Sequence, residues 1–372
     1  MIASSATTST AVTNTQLKIA TFNLFNYLEP PNAFYEFERI YSAEQWQKKQ
    51  CWITEYLSEN QPDIIGFQEV FSIESLKTLV STQGYHYFST VDEPEIIDDF
   101  IYKKPVVAIA SRYPIVDVIA VNPNIELAQA LGLAVDFSMS RKILRATIDV
   151  PHLGHCDCYV VHFKSKRSII EFDERATEAS PEKVIIENFK AQVAGGWGST
   201  IKRGSEATLL MIEMIERRES SGNPMILMGD FNNTLTDGVL SHLLTNTLRF
   251  VSTIDRDAYL AKYCLNDAWD LYQKVFFNEE KKASSSSNSG ESTLLTENGQ
   301  KQSRIPTHYF GGEGSVLDYI LLSCEFDAGY HDSLYQVNDY AVYDRHLINP
   351  IFERDGESTD HGIVLVTLTL RS

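Results

Sequence analysis

Short apolar runs with the composition of β-strands recur along the chain, and most are long enough for one buried strand. Several are apolar at successive positions, which predicts strands that are buried on both faces. The runs lie at Ile19–Phe22, Ile64–Phe67, Val106–Ala110, Ile143–Ile148, Tyr159–Phe163, Met225–Met228, Val316–Leu322 and Ile363–Leu368.

Two segments between these runs have apolar residues spaced as on one face of a helix. The positions are Trp46, Ile53 and Leu57 before Pro62, and Ala207, Leu210, Met211 and Met214 before Gly222. Strand runs interleaved with amphipathic helices predict a layered α/β fold. The number of strands favours two packed sheets with helices outside them.

The length of 372 residues allows one large domain or two. Polar residues that follow the strand runs are spread from Asn23 to His361, and they would have to converge on one cleft. No domain-separating composition interrupts the chain before about residue 280. We therefore predict one domain over residues 17–372.

Two segments have compositions that do not favour packed structure. Residues 1–16 are rich in Ser, Thr and Ala without periodicity, which predicts a disordered tail. Residues 281–303 are low in complexity and predict a mobile surface insertion. A second, charged insertion is expected at roughly 164–204.

The formal net charge of -18 argues against a broadly basic surface that grips nucleic acid, but it allows a locally basic cleft. The 5 cysteines are an odd number without metal-finger spacing, so we expect reduced thiols. The N-terminus lacks the features of a signal peptide, and no apolar run is long enough to span a bilayer. The default expectation is a cytoplasmic monomer without a membrane anchor.

Five short strings place a metal-binding or proton-handling side chain beside a strand run: TFNLFN, GFQEVF, VVHFKS, MGDFNN and STDHG. Strand ends present side chains to a cleft. Hydrolysis of a phosphodiester is helped by a cation on the phosphoryl oxygens and by a group that activates water. Glu69, after a buried strand, is the best single candidate for a metal ligand, although an isolated Glu at such a position is more often a solvated loop residue.

Asp230 and Asn232 lie two residues apart, so in an extended segment their side chains point the same way. One could orient water while the other donates to an oxyanion. The alternative is an ordinary turn built from Gly229, Asp230, Asn232 and Asn233.

Asp360 and His361 precede the last strand run, and a carboxylate raises the basicity of an imidazole that moves protons. Asp318 lies in the apolar string VLDYILLS, where a buried carboxylate needs a partner such as an imidazole. A bond from Asp318 to a neighbouring loop remains the alternative.

His162 is followed by a short basic run, which phosphate binding would explain. A structural histidine and a solvated basic face are the alternatives. The cations considered for the same cleft are Lys164, Lys166 and Arg167, with Arg141, Lys142, Lys202 and Arg203 as further candidates.

Taken in order, the five strings resemble the endonuclease/exonuclease/phosphatase superfamily, which includes pancreatic-type deoxyribonuclease, repair nucleases, neutral sphingomyelinases and inositol polyphosphate 5-phosphatases. The similarity runs from about residue 17 to 370. It implies a four-layered α/β sandwich of two mixed β-sheets flanked by helices, and a Mg²⁺ or Mn²⁺ cofactor.

The resemblance also implies roles for individual residues. Asn23 would help to hold the metal or phosphate, and Glu69 would be the main metal ligand. Asp230 with Asn232 would orient the nucleophile and stabilise the transition state. Asp360 would complete the metal site.

In the same way, His361 would act as the base, with Asp318 orienting it. His162 is similar to the second histidine of the deoxyribonuclease and sphingomyelinase branches, an acid or phosphate contact. Arg141 aligns loosely with a phosphate-contacting Arg. Lys164, Arg167 and Arg203 are predicted to bind substrate.

These observations favour a metal-dependent phosphodiesterase that acts on nucleic acid, as an endonuclease. The segments HFKSKR and KRGSEA resemble bacterial members described as nuclease-like. A lipid or small-molecule phosphoesterase, sphingomyelinase-like or inositol-phosphatase-like, is the alternative that the acidic composition supports. A binding module that lost its chemistry ranks last, because every string keeps its polar residues.

Overall fold

Two mixed six-stranded sheets organise the protein, in a computed structural model that describes residues 15–172, 180–244, 259–276 and 303–371. Two smaller sheets, of two and three strands, accompany them. The strands are β1 (Gln16–Tyr27), β2 (Ala33–Phe34), β3 (Ile64–Val70), β4 (Tyr87–Thr90), β5 (Glu95–Ile97), β6 (Ile101–Lys103), β7 (Val106–Ser111), β8 (Ile115–Val121), β9 (Ile143–Val150), β10 (Gly154–His162), β11 (Met225–Asp230), β12 (Asn266–Asp267), β13 (His308–Phe310), β14 (Glu313–Ser315), β15 (Asp318–Leu322), β16 (Tyr335–Tyr343) and β17 (Ile363–Leu370).

Strand order defines the two large sheets. The first sheet has the order β16-β17-β1-β3-β7-β4, and the second has the order β12-β15-β11-β10-β9-β8. In the first, β1 pairs parallel with β3; in the second, β10 pairs parallel with β11. The other pairings within these two sheets are antiparallel, so both sheets are mixed.

Helices cover the outer faces of the sheets. The longer ones are α1 (Ala43–Asn60), α2 (Ile73–Thr82), α3 (Ile125–Ala130) and α4 (Pro181–Ser221). Residues 268–276 are also helical. Single helical turns lie at Ser241–Leu243, Ala261–Tyr263, Cys324–Phe326, Arg345–Ile348 and Phe352–Asp355.

Three hydrophobic clusters separate the layers. The first lies between the sheets, where Ile19 of β1 packs in the same cluster as Met228 of β11. The next residue along β1, Ala20, faces the opposite way, into the cluster below α1 and α2. Met211 of α4 packs in the third cluster, on the outer face of the second sheet. The result is the four-layered α/β sandwich that the sequence predicts.

Local sequence explains where the helices start and stop. Ser42 and Gln45 form a capping box at the beginning of α1, which supplies acceptors for the first free amide groups. The helix ends at Gln61 in the left-handed conformation, directly before Pro62. Gly222 ends α4 with a φ of 72°, a conformation that glycine adopts without strain.

Each predicted strand run falls on a strand of the structure, and both predicted helices are present. Strands β7, β11 and β15 are buried along their whole length, as the continuous apolar runs indicate. The apolar runs do not reveal β4, β8 or β16, which lie at sheet edges. Edge strands are partly solvated, so their sequences mix polar and apolar residues.

The predicted insertions have different outcomes. Of the segment 164–204, the part from Pro181 is the N-terminal half of α4. Most of the predicted tail, residues 1–14, lies outside the described residues, and β1 already begins at Gln16. The predicted insertion at 281–303 also lies outside them, except for Ser303.

All five cysteines are free thiols. Of the helices in the described ranges, none has both the length and the apolar composition needed to cross a bilayer.

Candidate functional site

Strand register brings three of the predicted site residues into one row across the second sheet. His162 of β10 is paired with Asp230 of β11, and Asp230 is paired with Asp318 of β15. Residues that face each other in a sheet project to the same side, so the imidazole and both carboxylates meet at one end of the sheet. All three side chains are buried.

Asp318 holds His361 by a buried hydrogen bond. Nδ1 of His361 donates to Oδ2 of Asp318 over 2.8 Å. This contact fixes the tautomer and directs Nε2 toward Asp230 and Asp360, whose oxygens lie 3.9 and 4.0 Å away. Burial lowers the pKa of His361, but Asp318, Asp230 and Asp360 outweigh it and hold the pKa well above its usual range.

Asp230 is the centre of the hydrogen-bond network. Its Oδ1 accepts from the backbone N–H of Asn232 over 2.8 Å, and its Oδ2 accepts from the side-chain amides of Asn232 and Asn23 over 3.3 and 3.2 Å. Burial raises the pKa of Asp230 to about 7, while nearby His361 lowers it and Asp318 raises it further. The two-residue spacing predicted from sequence therefore produces a direct contact between the acid and the amide.

A strained backbone positions Asn232 and the strand before it. Asn232 has a φ of 53°, in the left-handed region where Asn is tolerated. Gly229, with a φ of 149°, lies so close to β10 that an added Cβ would be 2.0 Å from the carbonyl oxygen of Val161. Only glycine allows β11 to approach β10 this closely just before Asp230.

Asn23 connects the first sheet to this network. Its amide reaches Asp230 across the interface between the sheets, and its backbone carbonyl accepts from the hydroxyl of Thr359 over 2.7 Å. Thr359 directly precedes Asp360 and His361. Asn23 is buried below the cavity, so it orients neighbouring groups in this structure.

Backbone irregularities in β3, which carries Glu69, and in the neighbouring β1 orient the Glu69 side chain. The register of β3 shifts between Phe67 and Val70, and Glu69 has a φ of 61°. The carboxylate accepts from the backbone N–H of Asn26, itself in the left-handed region, over 2.9 Å. Burial, and then the negative charge of Asp360, raise the pKa of Glu69. Such bulges re-aim side chains next to active sites.

The donor set fits a divalent metal ion. Glu69 and Asp360 face one another closely enough to repel, and a cation between them would relieve that repulsion. Oδ1 of Asp360 is buried and makes no hydrogen bond within the described chain. Asp230, Asp318 and His361 form a further group whose ligand atoms lie within 4.8 Å of one another. Carboxylate oxygens are the ligands that hard divalent cations prefer.

His162 is held as a neutral imidazole. Its Nε2 lies 3.4 Å from Oδ2 of Asp230. Burial lowers the pKa of His162 well below its usual value, and the positive charges of Arg141 and His361 lower it further. His162 lines the cavity, so it can contact a substrate oxygen.

A cavity of about 770 Å³ opens over these residues. One wall carries positive charge from Arg141, Lys166, Arg167 and Arg39. Arg141 donates to the carbonyl of Phe163 over 3.4 Å, and its buried Nε has no acceptor within the described residues. The acidic molecule therefore has a locally basic wall beside its carboxylates.

Two predicted substrate-binding residues lie behind this wall. Lys164 Nζ donates to the carbonyl of Arg167 over 2.9 Å, and Arg203 donates to the carbonyl of Lys164 over 2.9 Å. Neither side chain lines the cavity. In this structure they hold the loop that carries Lys166 and Arg167.

Several residues around the site were not predicted from the sequence. Lys49 is buried under the loop before Asp360, and its Nζ donates to the carbonyl of Ser358 over 2.9 Å. Tyr35, His308 and Phe310 line the cavity. No strand-end pattern marks these cavity residues. Thr359, in contrast, lies inside the STDHG string and could have been found there.

A sandwich of two mixed sheets with carboxylates, amides and imidazoles gathered at one edge defines a metal-dependent phosphoesterase. The family model of the endonuclease/exonuclease/phosphatase family matches residues 20–327. The chain belongs to this family, whose members are phosphoesterase hydrolases that generally depend on a divalent metal.

Solved structures are similar in fold. The human Nocturnin catalytic domain with bound sulfate is 16% identical with a TM-score of 0.53, covering 96% of this chain and 95% of that one. D. rerio TDP2 complexed with a single-strand DNA product is 11% identical with a TM-score of 0.50, covering 96% and 100%. An endonuclease/exonuclease/phosphatase from Bacteroides vulgatus is 15% identical with a TM-score of 0.50, covering 96% and 100%. No curated protein matches the sequence.

Proposed function

We propose that the protein is a Mg²⁺- or Mn²⁺-dependent endonuclease that hydrolyses phosphodiester bonds of nucleic acid and acts as a monomer. One observation carries the proposal: the Asp230–His361–Asp318 network and a basic wall meet at the same cavity. A cation-binding acidic centre beside Arg141, Lys166 and Arg167 suits a substrate whose phosphates extend beyond the bond that is cleaved.

Each side chain then has a role in hydrolysis. Glu69 and Asp360 would hold the metal, which supplies charge stabilisation to the phosphoryl oxygens. Asp230 orients the attacking water. Asn232 lines the cavity beside it, and its amide would donate to an oxyanion by giving up its bond to Asp230 or to the Phe163 carbonyl. His361, held by Asp318, carries a proton to or from the reacting oxygens, and His162 contacts the phosphate as a neutral donor.

The neighbours support a nucleic-acid substrate by analogy. The D. rerio TDP2 structure contains a single-strand DNA product, and its chain is covered completely by the alignment. The Nocturnin domain binds a sulfate anion. Both statements concern those proteins, and the low identities restrict the likeness to the fold.

The test is cleavage of supercoiled plasmid DNA with Mg²⁺ or Mn²⁺ and with chelator. A closed circle has no ends, so nicking and linearisation report endonucleolytic attack. We expect cleavage with either metal, none with chelator, and a loss of about 100-fold or more in Glu69→Gln, because a main metal ligand is removed. Glu74→Gln, an exposed carboxylate of α2, is the matched control.

Metal-dependent cleavage that persists in Glu69→Gln would show that Glu69 is not the ligand. An intact plasmid under all conditions would overturn the endonuclease proposal. RNA, sphingomyelin vesicles and a phosphomonoester, assayed in parallel, identify the substrate class in that case.

One observation favours the lipid alternative. The N-terminal half of α4 exposes an apolar residue at every fourth position, and Trp197 and Phe189 are 66% and 70% exposed. The row is Ile185, Phe189, Val193, Trp197 and Ile201. Beside it, Ile169 and Ile170 are exposed on the loop that carries Lys166 and Arg167 to the cavity. Hydrolysis of sphingomyelin vesicles without cleavage of plasmid would establish this second function.

A further inference from the structure

A second imidazole faces His361 at the edge of the cavity. His308 begins β13, and its backbone forms an isolated antiparallel bridge with His361. The centroids of the two rings are 5.2 Å apart. Ligand atoms of His308, His361 and Asp360 all lie within 4.8 Å of one another, so β13 and the segment just before β17 bring two imidazoles and one carboxylate together.

The hydrogen bonds of this cluster leave its ligand atoms free. Nδ1 of His361 is committed to Asp318, and Nε2 remains directed toward Asp360. Oδ1 of Asp360, 4.0 Å from that Nε2, is buried and has no hydrogen-bond partner in the described chain. Within the same residues, the His308 ring makes no hydrogen bond, although its ring contacts His361.

The chemistry of these donors differs from that of the Glu69–Asp360 pair. Two imidazole nitrogens and one carboxylate oxygen suit Zn²⁺, which would displace the proton from Nε2 of His361 on binding, whereas Mg²⁺ prefers oxygen ligands throughout. Three protein ligands leave one position of a tetrahedral ion open. The Asp318–His361 hydrogen bond has the form of the carboxylate–histidine contact that orients an imidazole toward a metal.

A small movement would complete the geometry. Ligands about 2.1 Å from a tetrahedral ion are about 3.4 Å from one another, so the observed separations of up to 4.8 Å must close by up to about 1.4 Å. His308 lies on the short β13–β14 hairpin, which is open to solvent at Phe310. The backbone of His308 is already bridged to His361, so the adjustment falls on the side chains of His308 and Asp360.

We propose that His308, Asp360 and His361 form a Zn²⁺ site, and that Zn²⁺ bound there blocks Nε2 of His361. This Zn²⁺ site does not include Glu69. It shares Asp360 with the metal site that Glu69 and Asp360 would form. Only the blocking step rests on the proposed function, because it requires that His361 handles a proton during hydrolysis. Binding of Zn²⁺ does not depend on which substrate the enzyme cleaves.

Zn²⁺ binding is measured on metal-free full-length protein by competition with a chromophoric zinc indicator. We expect one equivalent to bind to the wild type and at least a 10-fold higher Kd in His308→Phe, which keeps an aromatic ring opposite His361. His308→Asn is the second variant, in case the Phe variant does not fold. His331→Gln, an exposed histidine, is the control. Unchanged affinity in both His308 variants would overturn the site.

Glu69→Gln separates the new site from the family's metal site. It is expected to retain Zn²⁺ binding, and Co²⁺ substitution in it should give the visible absorption bands of a nitrogen-ligated tetrahedral ion. If Glu69→Gln abolishes Zn²⁺ binding while the His308 variants keep it, the ion occupies the Glu69 site and the proposal is wrong.

The blocking step is tested with the substrate that the wild type is found to hydrolyse. Each variant's rate is expressed relative to its own Mg²⁺-supported rate, and Zn²⁺ is titrated in. We expect inhibition of the wild type at concentrations near its Kd, and at least 10-fold more Zn²⁺ for the same inhibition of His308→Phe. Activation by Zn²⁺ through His308 would refute blocking. Absence of any hydrolysis would refute the proposed function while leaving the binding result intact.

Discussion

At the residue scale, the site depends on buried polar groups that satisfy one another across two sheets. Asp230 accepts from Asn23 of the first sheet and from Asn232 of its own segment, and it lies near two imidazoles. Buried charges are tolerated when hydrogen bonds and opposite charges compensate for lost solvation. The same network holds each group in the orientation that the proposed hydrolysis requires.

Asp318→Asn tests the orientation of His361. The variant removes the charge that raises the pKa of His361 and permits the wrong tautomer, so we expect kcat to fall by about 100-fold or more, with KM little changed. Asp332→Asn is the control, because Asp332 contacts the exposed His331 in a similar pair. Steady-state kinetics measure the effects on kcat and KM separately. A loss below about 5-fold, or a loss carried by KM, would contradict this role.

Lys49 gives a prediction about stability and pH. Burial lowers the pKa of Lys49 to about 8 from 10.5, although Asp360 and Glu69 partly oppose the shift. The folded protein therefore binds fewer protons than the unfolded chain between these two values, so stability rises with pH across this window. Lys49→Met lacks the ionisable amine and therefore lacks this contribution to the pH dependence of stability. The free energy of unfolding of wild type relative to Lys49→Met should rise by about 1 kcal/mol per pH unit above pH 8.

Urea unfolding in the presence of chelator, at several pH values between 7.5 and 9.5, measures that difference. Tyrosine ionisation and other alkaline effects are common to both proteins and cancel. Parallel stability profiles for the wild type and Lys49→Met would show that Lys49 has no depressed pKa. The variant also removes the donor to the Ser358 carbonyl, so it tests whether the loop before Asp360 needs this anchor.

At the scale of elements, the sequence predicts the centre of the fold better than its periphery. The central strands β1, β3, β10 and β11 contain the predicted apolar runs, and a candidate site residue follows each run within two positions. Edge strands and the N-terminal half of α4 escape prediction, because solvent-exposed elements do not require a regular apolar pattern. Which residues meet across the sheets, such as Asn23 with Asp230, depends on layer packing that no local pattern contains.

Helix α4 positions the basic loop by a close contact at one glycine. A Cβ on Gly195 would lie 1.7 Å from the Ser168 hydroxyl oxygen and 2.8 Å from the backbone nitrogen of Ile170, whereas a Cβ on Gly196 would meet nothing within 4 Å. The hydroxyl of Ser199 also donates to the carbonyl of Arg167 over 2.5 Å. The loop that carries Lys166 and Arg167 therefore packs directly on this turn of the helix.

Gly195→Ala should displace this loop and raise KM by about 5-fold or more, because positioning of the cations beside the phosphates is lost. Gly196→Ala is the matched control. It should stabilise the protein by about 0.5–1 kcal/mol, because alanine has a higher helix propensity than glycine. Steady-state kinetics give the KM of both variants, and urea unfolding gives their free energies of unfolding. Equal KM values would mean that the loop adapts without moving its cations.

At the scale of the whole molecule, a charge of -18 surrounds a cavity with a basic wall. Most of the surface repels a polyanion, so electrostatic attraction must come from the few cations that face the cavity. This arrangement predicts that few phosphates are contacted and that the salt dependence of binding is shallow. Each phosphate contact contributes about one unit to the slope of log affinity against log salt concentration.

Arg167→Gln isolates one of these contacts. We expect the slope of log KM for nucleic acid against log salt concentration to fall by about one unit, with weaker binding to all sequences alike, because a phosphate contact carries no base information. Lys77→Gln, an exposed lysine of α2 that does not line the cavity, removes the same charge from the whole molecule. If both variants change the slope equally, the overall charge governs association and the basic wall has no local role. A reduced slope in Arg167→Gln alone assigns the attraction to the wall and explains how an acidic protein can hold a polyanionic substrate.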